Sequence, residues 1–320
     1  MQCKLICSSH SPLMRIYARE PEHHADIVAL FARLKADVAA YNPDLVIVLG
    51  CDHFNGFFLN CMPSFCLGLT CEAVADVGGT PGPLAVTPAA LAIAKDLREQ
   101  GIDTAVSSQM KIDHGFSQTM SFVMEQLDSY PTLPIFVNSI APPYVPFQRS
   151  RKLGEALAHS AQARGVERLL VIATGGMSHH PTRYYPDPAE AEPPVGHYQL
   201  HGPDPQGLSH AQWLERLEVM HLEGAQMLVD GRRTREDIHM NPELDKRFAN
   251  ILCQGELTEL DGWDNEQLIA EGGVGFTELH TWVAATALYR TLNPQQRPVF
   301  ELYAETLEYG IGYGAISGGF

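Results

Sequence analysis

The sequence has few basic residues for its length. Its 320 residues include 22 lysines and arginines against 38 aspartates and glutamates, which gives a formal net charge of −16 at pH 7. Proteins that bind nucleic acid or an anionic membrane present a basic surface to the phosphates. The composition therefore argues against nucleic acid and membrane as partners, and it leaves room for a local cation that binds a small anion.

Paired cysteines and long apolar runs are also missing. The seven cysteines include no Cys-x-x-Cys pair, which disfavours a zinc ribbon and a thioredoxin-like site. The first residues lack the pattern of a signal peptide, and no window reaches the roughly 18 uninterrupted apolar residues of a membrane span. We therefore expect a cytoplasmic protein with reduced thiols.

Short apolar runs alternate with amphipathic segments along the chain, and 45% of the residues are hydrophobic. This alternation predicts one α/β domain over residues 1–320, with a mostly parallel or mixed central sheet flanked by helices. The predicted strands are 2–7, 45–49, 104–110, 135–140 and 169–173. The predicted helices are 21–41, 87–101, 149–164, 209–230, 264–271 and 277–290.

Two segments depart from this alternation. Residues 181–206 are rich in proline and tyrosine, so we expect a long loop that forms neither a helix nor a central strand and that roofs the site. The last 16 residues include five glycines, and we interpret them as a packed or subunit-facing tail of a homo-oligomer.

Four of the fourteen histidines share one context, because each follows a predicted strand: His10, His53, His114 and His179. In open α/β sheets, ligands bind at the carboxyl ends of the strands. Glycine and proline around these histidines allow the sharp turns that bring side chains close together. We therefore expect the four imidazoles to converge on one site.

A metal is the simplest reason for such convergence. Two imidazoles and one carboxylate on one face are the usual donors for non-haem Fe(II) with open positions. Glu278 is the candidate carboxylate, since it follows the glycine-rich turn at 271–275 and begins an apolar helix. The alternative is a carboxylate that only complements the positive end of that helix.

Several motifs together resemble one known family, the class III extradiol ring-cleavage dioxygenases. The matching segments are 9–13 (SHSPL), 52–58 (DHFNGFF), 62–68 (MPSFCLG), 113–116 (DHGF), 147–149 (FQR), 175–179 (GGMSH) and 278–285 (ELHTWVAA). The order and number of these segments carry the resemblance, which runs along most of the chain.

The resemblance implies an enzyme that opens a catechol ring with O2. It implies Fe(II) held by His10, His53 and Glu278, with His179 as the base that deprotonates the catechol and His114 as the acid. Histidine suits both acid and base roles because its ordinary pKa is about 6.5. The residues alone do not separate the two roles.

The segment 183–206 departs from the family pattern, which affects the expected side chain of the catechol. The resemblance suggests a short acidic side chain, and Arg183, four residues after His179, is our predicted anchor for its carboxylate. His180 and Asp113 are further candidates for substrate contact. Alternatively, Asp113 orients an imidazole or caps its own loop. A zinc hydrolase and a non-catalytic binding protein on the same scaffold stay open as alternatives.

Overall fold

The protein, seen here as a computed structural model of residues 1–320, contains eleven strands and nine α-helices. The strands are β1 Gln2–Ser8, β2 Leu45–Gly50, β3 Phe65–Gly68, β4 Cys71–Ala73, β5 Gly82–Pro83, β6 Ala105–Ser107, β7 Met110–Ile112, β8 Thr132–Val137, β9 Arg168–Thr174, β10 Val299–Thr306 and β11 Ile311–Gly318. The helices are α1 His24–Tyr41, α2 Ala90–Glu99, α3 His114–Val123, α4 Phe147–Ala163, α5 Pro193–His201, α6 His210–Val229, α7 Pro242–Gln254, α8 Asn265–Gly272 and α9 His280–Leu292. None of the helices has the length and hydropathy needed to cross a membrane.

Eight strands form one mixed sheet in the order β10-β11-β1-β9-β2-β8-β3-β6, which confirms the predicted fold class. The four central strands β1, β9, β2 and β8 are parallel, whereas β11 and β3 pair antiparallel on either side of them. Strands β5, β4 and β7 form a separate small sheet. Because β1, β9 and β2 are parallel neighbours, the loops that follow them leave the sheet at the same edge.

Both faces of the central sheet are buried. Along β2, the side chains of Leu45, Ile47 and Leu49 belong to a core of 44 buried residues, and those of Val46 and Val48 belong to a second core of 28. Helices α4 and α9 cover the first face, and α1 and α3 cover the second. Each such side chain contributes roughly 1.5–3 kcal/mol by burial, so the sheet is a rigid base for the loops at its edge.

The prediction that residues 181–206 contain no helix is wrong. Helix α5 lies inside this segment and begins with Pro193 and Pro194. Proline is tolerated in the first turn of a helix, where the missing N–H would have no helical partner. The helix also packs well, because the Tyr198 ring stacks on Trp213 with ring centroids 4.4 Å apart. The rest of the segment is irregular apart from a short 3-10 turn, Pro181–Arg183.

Other boundaries differ where local signals compete. The predicted strand 104–110 is two strands, β6 and β7, which lie in different sheets. The predicted helix 277–290 begins at His280, and a 3-10 turn, Val274–Leu279, precedes it and carries Glu278. Helix α7 was not predicted, although Asn241 caps its start and Gly255 ends it in the left-handed conformation.

The glycine-rich tail forms strand β11 between β10 and β1, which confirms that it is packed. Glycine has a low strand propensity, and for this reason the local sequence does not predict a strand here. Pairing on both sides compensates, and Ile311, Tyr313 and Ala315 enter the second core.

Candidate metal centre

The loops after three parallel strands and the start of one helix bring the four predicted histidines together. His10 follows β1, His53 follows β2 and His179 follows β9, whereas His114 follows β7 of the small sheet and begins α3. The ring centroids of His10 lie 5.5 Å from His53 and 5.3 Å from His114, and those of His53 and His114 are 4.2 Å apart and stacked. All four side chains are buried at one edge of the sheet.

The carboxylate of Glu278 lies between the two predicted histidine ligands. Its Oε2 is 3.3 Å from His10 Nε2, and its Oε1 is 3.5 Å from His53 Nε2. Gly176 N donates a hydrogen bond of 2.5 Å to Oε2. Burial raises the pKa of Glu278, but the neighbouring imidazoles of His10 and His179 outweigh burial and hold this pKa well below its usual range. Glu278 is therefore an ionised, buried carboxylate.

The other nitrogen of each imidazole is held by a neighbour, which orients Nε2 toward Glu278. His10 Nδ1 is 2.7 Å from Thr174 Oγ1, and His53 Nδ1 is 3.3 Å from Asp113 Oδ1. Burial lowers the pKa of His10 to about 3, so this imidazole is neutral. Such partners fix the tautomer and the orientation of metal-bound histidines.

The donor set of His10, His53 and Glu278, called the metal triad below, fits a divalent metal. Ligands at about 2.1 Å from an ion and at right angles to each other lie about 3 Å apart, close to the separations seen here. Cys51 Sγ is farther away, at 4.0 Å from both Nε2 atoms. Two imidazoles and a carboxylate on one face match the set that leaves positions open on non-haem Fe(II).

His179 lies beside the metal triad in a narrow slot. Its Nδ1 donates to the Met177 carbonyl oxygen at 2.7 Å, and its Nε2 lies 3.6 Å from Glu278 Oε1. The slot walls are the backbones of Gly176 and Gly275, where a Cβ atom would come within 2.3 and 2.0 Å of His179 Cε1. Only glycine leaves room for the ring at these two positions.

His114 is paired with a carboxylate that sequence reasoning missed, Asp76. The distance between His114 Nδ1 and Asp76 Oδ2 is 2.5 Å, and the backbone N of His114 donates to the same oxygen at 3.1 Å. Burial raises the pKa of Asp76 and lowers that of His114 to about 3. Asp76 is 38 residues from His114 in a segment without a motif, so no sequence signal indicates this pair.

Asp113 forms hydrogen bonds to His53 and none to the imidazole of the adjacent His114. Its Oδ2 accepts from the backbone N of His53 at 2.6 Å, and its Oδ1 accepts from Gly115 N at 2.8 Å as the cap of α3. Asp113 thus both orients an imidazole and caps its loop, and it lines neither of the two cavities described next.

Two cavities meet at His53. The inner cavity, about 40 Å³, is bordered by His10, His114 and His179, and it extends to Arg233. The second chamber, about 200 Å³, lies on the side of Glu278 and is mostly apolar. The Pro-rich segment contributes Pro181 and Tyr185 to both cavities, so it borders the site.

The remaining predicted contacts lie toward the mouth of the inner cavity. His180 lines this cavity and an outer groove, and its ring stacks on His239 with centroids 4.3 Å apart. Arg183 lines only the outer groove, and its guanidinium forms an ion pair with Glu223.

A family model described as the catalytic LigB subunit of aromatic ring-opening dioxygenase matches residues 4–306. The chain belongs to the LigB family. This membership confirms the resemblance seen in the sequence motifs, and the family is one of aromatic ring-opening dioxygenases.

Full-length relatives of this LigB-family chain carry the name 2,3-dihydroxyphenylpropionate/2,3-dihydroxicinnamic acid 1,2-dioxygenase. The chain is 33% identical to the one from Azotobacter vinelandii over 99% of both chains. It is 36% identical to the one from Paraburkholderia xenovorans over 97% of this chain and 93% of the relative. It is also 36% identical to the one from Escherichia coli O139:H28 over 99% of this chain and 98% of the relative.

The fold of this LigB-family chain also occurs in a solved structure. The crystal structure of an uncharacterized protein from Escherichia coli K12 superposes with a TM-score of 0.52 at 12% identity, covering 99% of this chain and 100% of that chain. At this identity the likeness concerns the fold alone.

Proposed function

We propose that the protein is a non-haem Fe(II) enzyme that cleaves a catechol beside its two hydroxyl groups with O2. The observation that carries this proposal is the metal triad, with two further buried histidines bordering the same cavity. A 3-substituted catechol such as 2,3-dihydroxyphenylpropionate is the proposed substrate, since this compound is named in the relatives that align over nearly the whole chain.

His10, His53 and Glu278 would hold the iron. When bound, Fe(II) supplies the redox chemistry that lets a closed-shell catechol react with dioxygen. With these three side chains on one face, the site would leave its opposite side open to substrate. The protein's own contribution is then to orient the catechol in the inner cavity and to move protons there.

His179 is the proposed base. Its Nδ1 must carry the proton, because the Met177 carbonyl oxygen can only accept a hydrogen bond. The lone pair of Nε2 is therefore free to take a proton from a catechol hydroxyl. Because the ring is confined between Gly176 and Gly275, this nitrogen keeps one position. A positioned base of this kind contributes typically about 10²–10⁴-fold to the rate.

His114 is the proposed acid, and Asp76 supports this role. The short contact between His114 Nδ1 and Asp76 Oδ2 accounts for one proton of the pair, so Nε2 is the nitrogen left to exchange a proton with substrate. With the shared proton held by Asp76, whose pKa burial raises, Nε2 carries the ring proton, and His114 would donate this Nε2 proton to oxygen during ring opening. Asp76 would hold the ring in place and replace the proton from the buried side.

One experiment tests the proposed function directly. Anaerobically purified, iron-loaded protein is mixed with a panel of catechols, then O2 is admitted and its uptake recorded together with the yellow colour of a ring-opened product. We expect one O2 consumed per catechol, with iron required and zinc-loaded protein inactive. No oxygen uptake with any catechol would refute the proposal, and hydrolysis by the zinc-loaded protein would favour the hydrolase.

Cytoplasmic location and homo-oligomeric assembly stay predictions from the sequence.

A further inference from the structure

The two cavities at the candidate metal centre differ in charge. Among all the side chains that line them, Arg233 is the only arginine or lysine, and it lies at the outer end of the inner cavity. The second chamber is lined by the acidic residues Asp52, Asp187 and Glu278 and by no arginine or lysine. The only guanidinium available to a substrate carboxylate in these two cavities therefore lies along the inner cavity.

Arg233 has no carboxylate partner in the protein, unlike the arginines around it. Arg183 pairs with Glu223, and Arg232 pairs with Asp230 at 2.8 Å. The only side-chain hydrogen bond of Arg233 runs from Nη1 to Tyr184 Oη, at 3.3 Å. The side chain is half-buried, and its guanidinium lies 5.8 Å from the centroid of the Tyr184 ring. A half-buried cation at a cavity mouth, with most of its N–H donors free, is suited to bind an anion.

The wall near Arg233 suits a short aliphatic chain. The rings of Tyr184 and His221 stack with centroids 3.8 Å apart, and Leu228 and Ile238 add apolar surface. His221 Nδ1 donates a hydrogen bond to the Leu217 carbonyl oxygen at 2.7 Å, so the proton on this nitrogen already has a backbone partner. The lining between the four histidines and Arg233 is thus uncharged.

We propose that Arg233 binds the carboxylate of the catechol side chain. The ring would lie among His10, His53, His114 and His179, with its side chain directed along the inner cavity. The free N–H groups of the guanidinium would bind the carboxylate by two parallel hydrogen bonds, which fixes the orientation of the ring as well as its affinity. Arg233 is thus a specificity residue for acidic catechols. This inference rests on the proposed function for the reaction and on the cavity lining for the anchor.

The test compares acidic and neutral ligands in matched variants. Steady-state kinetics of iron-loaded protein are measured with 2,3-dihydroxyphenylpropionate, its methyl ester and 3-propylcatechol, for the parent, Arg233→Ala, Arg233→Lys and Arg183→Ala. Arg232→Ala serves as a control, because this neighbouring arginine is exposed and paired with Asp230. Binding of 3-phenylpropionate, which lacks the catechol hydroxyls, to metal-free protein is measured by calorimetry as a readout independent of turnover.

For Arg233→Ala we expect kcat/KM to fall by about 10–100-fold with the acid and by less than about 3-fold with the ester and with 3-propylcatechol. Arg233→Lys keeps the charge and should retain an intermediate preference, which preserves the test if the alanine variant folds poorly. Binding of 3-phenylpropionate should weaken by a similar factor, and Arg232→Ala should match the parent.

Three outcomes would overturn the inference: equal losses on acidic and neutral catechols, unchanged binding of 3-phenylpropionate in Arg233→Ala, or a selective loss in Arg183→Ala instead. Each of these leaves ring cleavage itself intact. Failure of the parent to cleave any catechol would refute the proposed function instead, while the binding measurement on metal-free protein would still decide whether Arg233 holds a carboxylate.

Discussion

Replacing Gly275 by alanine tests the proposed base without touching its side chain. The added methyl group would lie 2.0 Å from His179 Cε1 and 2.2 Å from Nδ1, whereas ordinary contacts begin at 3.4 Å. The imidazole must therefore move by at least about 1.4 Å, the difference between these contact distances. The backbone of Gly275 is not in the left-handed region, so alanine brings no backbone strain and the effect comes from this contact.

The displacement should cost turnover and leave the metal in place. A misplacement of about 1 Å in a catalytic group typically costs about 10²-fold, so we expect kcat to fall by that order. Overpacking should cost about 1–3 kcal/mol of stability, less than is needed to unfold a domain of this size. The metal triad does not include His179, and iron content should match the parent.

The assay combines kcat at saturating catechol and O2, iron per chain and the thermal midpoint. Gly262→Ala is the matched control, because a Cβ there meets no atom within 4 Å, and it should behave as the parent in all three measurements. An iron-loaded Gly275→Ala protein that turns over at the parent rate would refute the role of His179 as a positioned base. A loss of iron as complete as in the metal-triad variants would show instead that His179 is a ligand.

Alanine at any one position of the metal triad should weaken iron binding by more than the roughly 10–100-fold that is typical when a residue behind a metal ligand is lost. Iron per chain is measured after dialysis, with the exposed His159→Ala as the control. Full iron occupancy in all three variants would contradict the assignment of these residues as ligands. Alanine at either proposed acid–base histidine should keep iron and catechol binding but lower kcat by about 10²–10⁴-fold, and metal loss in these variants would refute that role. Burial raises the pKa of Asp245 to about 6 from an ordinary 3.8, so the folded protein keeps a proton that the unfolded chain loses. The free energy of unfolding should therefore fall by about 3 kcal/mol as pH rises from about 4 to 6, and this pH dependence should be absent in Asp245→Asn. Urea unfolding of both proteins is measured across this pH range. The same change of unfolding free energy with pH in the parent and in Asp245→Asn would contradict this role of Asp245.

Much of the fold follows from local patterns. The apolar run that forms β2 is buried on both faces, and the helical spacing of Ile27, Leu30 and Leu34 matches the buried side of α1. These elements are specified by side chains that alternate or repeat within one segment. The tail strand β11 and helix α5 escaped prediction because glycine and proline mark breaks locally, and only neighbouring elements reveal that these residues are paired or packed.

The sequence by itself determined the family, the alternation of strands and helices, and the set of four histidines with Glu278, because residue types and their order after strands are local properties. The tertiary structure alone decided which other side chains contact these histidines and line the cavity beside them. It places Asp76 against His114 across 38 residues and Asp113 against His53 across 60. It also pairs Arg183 with Glu223 and leaves Arg233 without a carboxylate partner at the inner cavity. Hydrogen bonds and ion pairs depend on distances of about 3 Å between atoms far apart in the chain, and such distances exist only once the chain has folded.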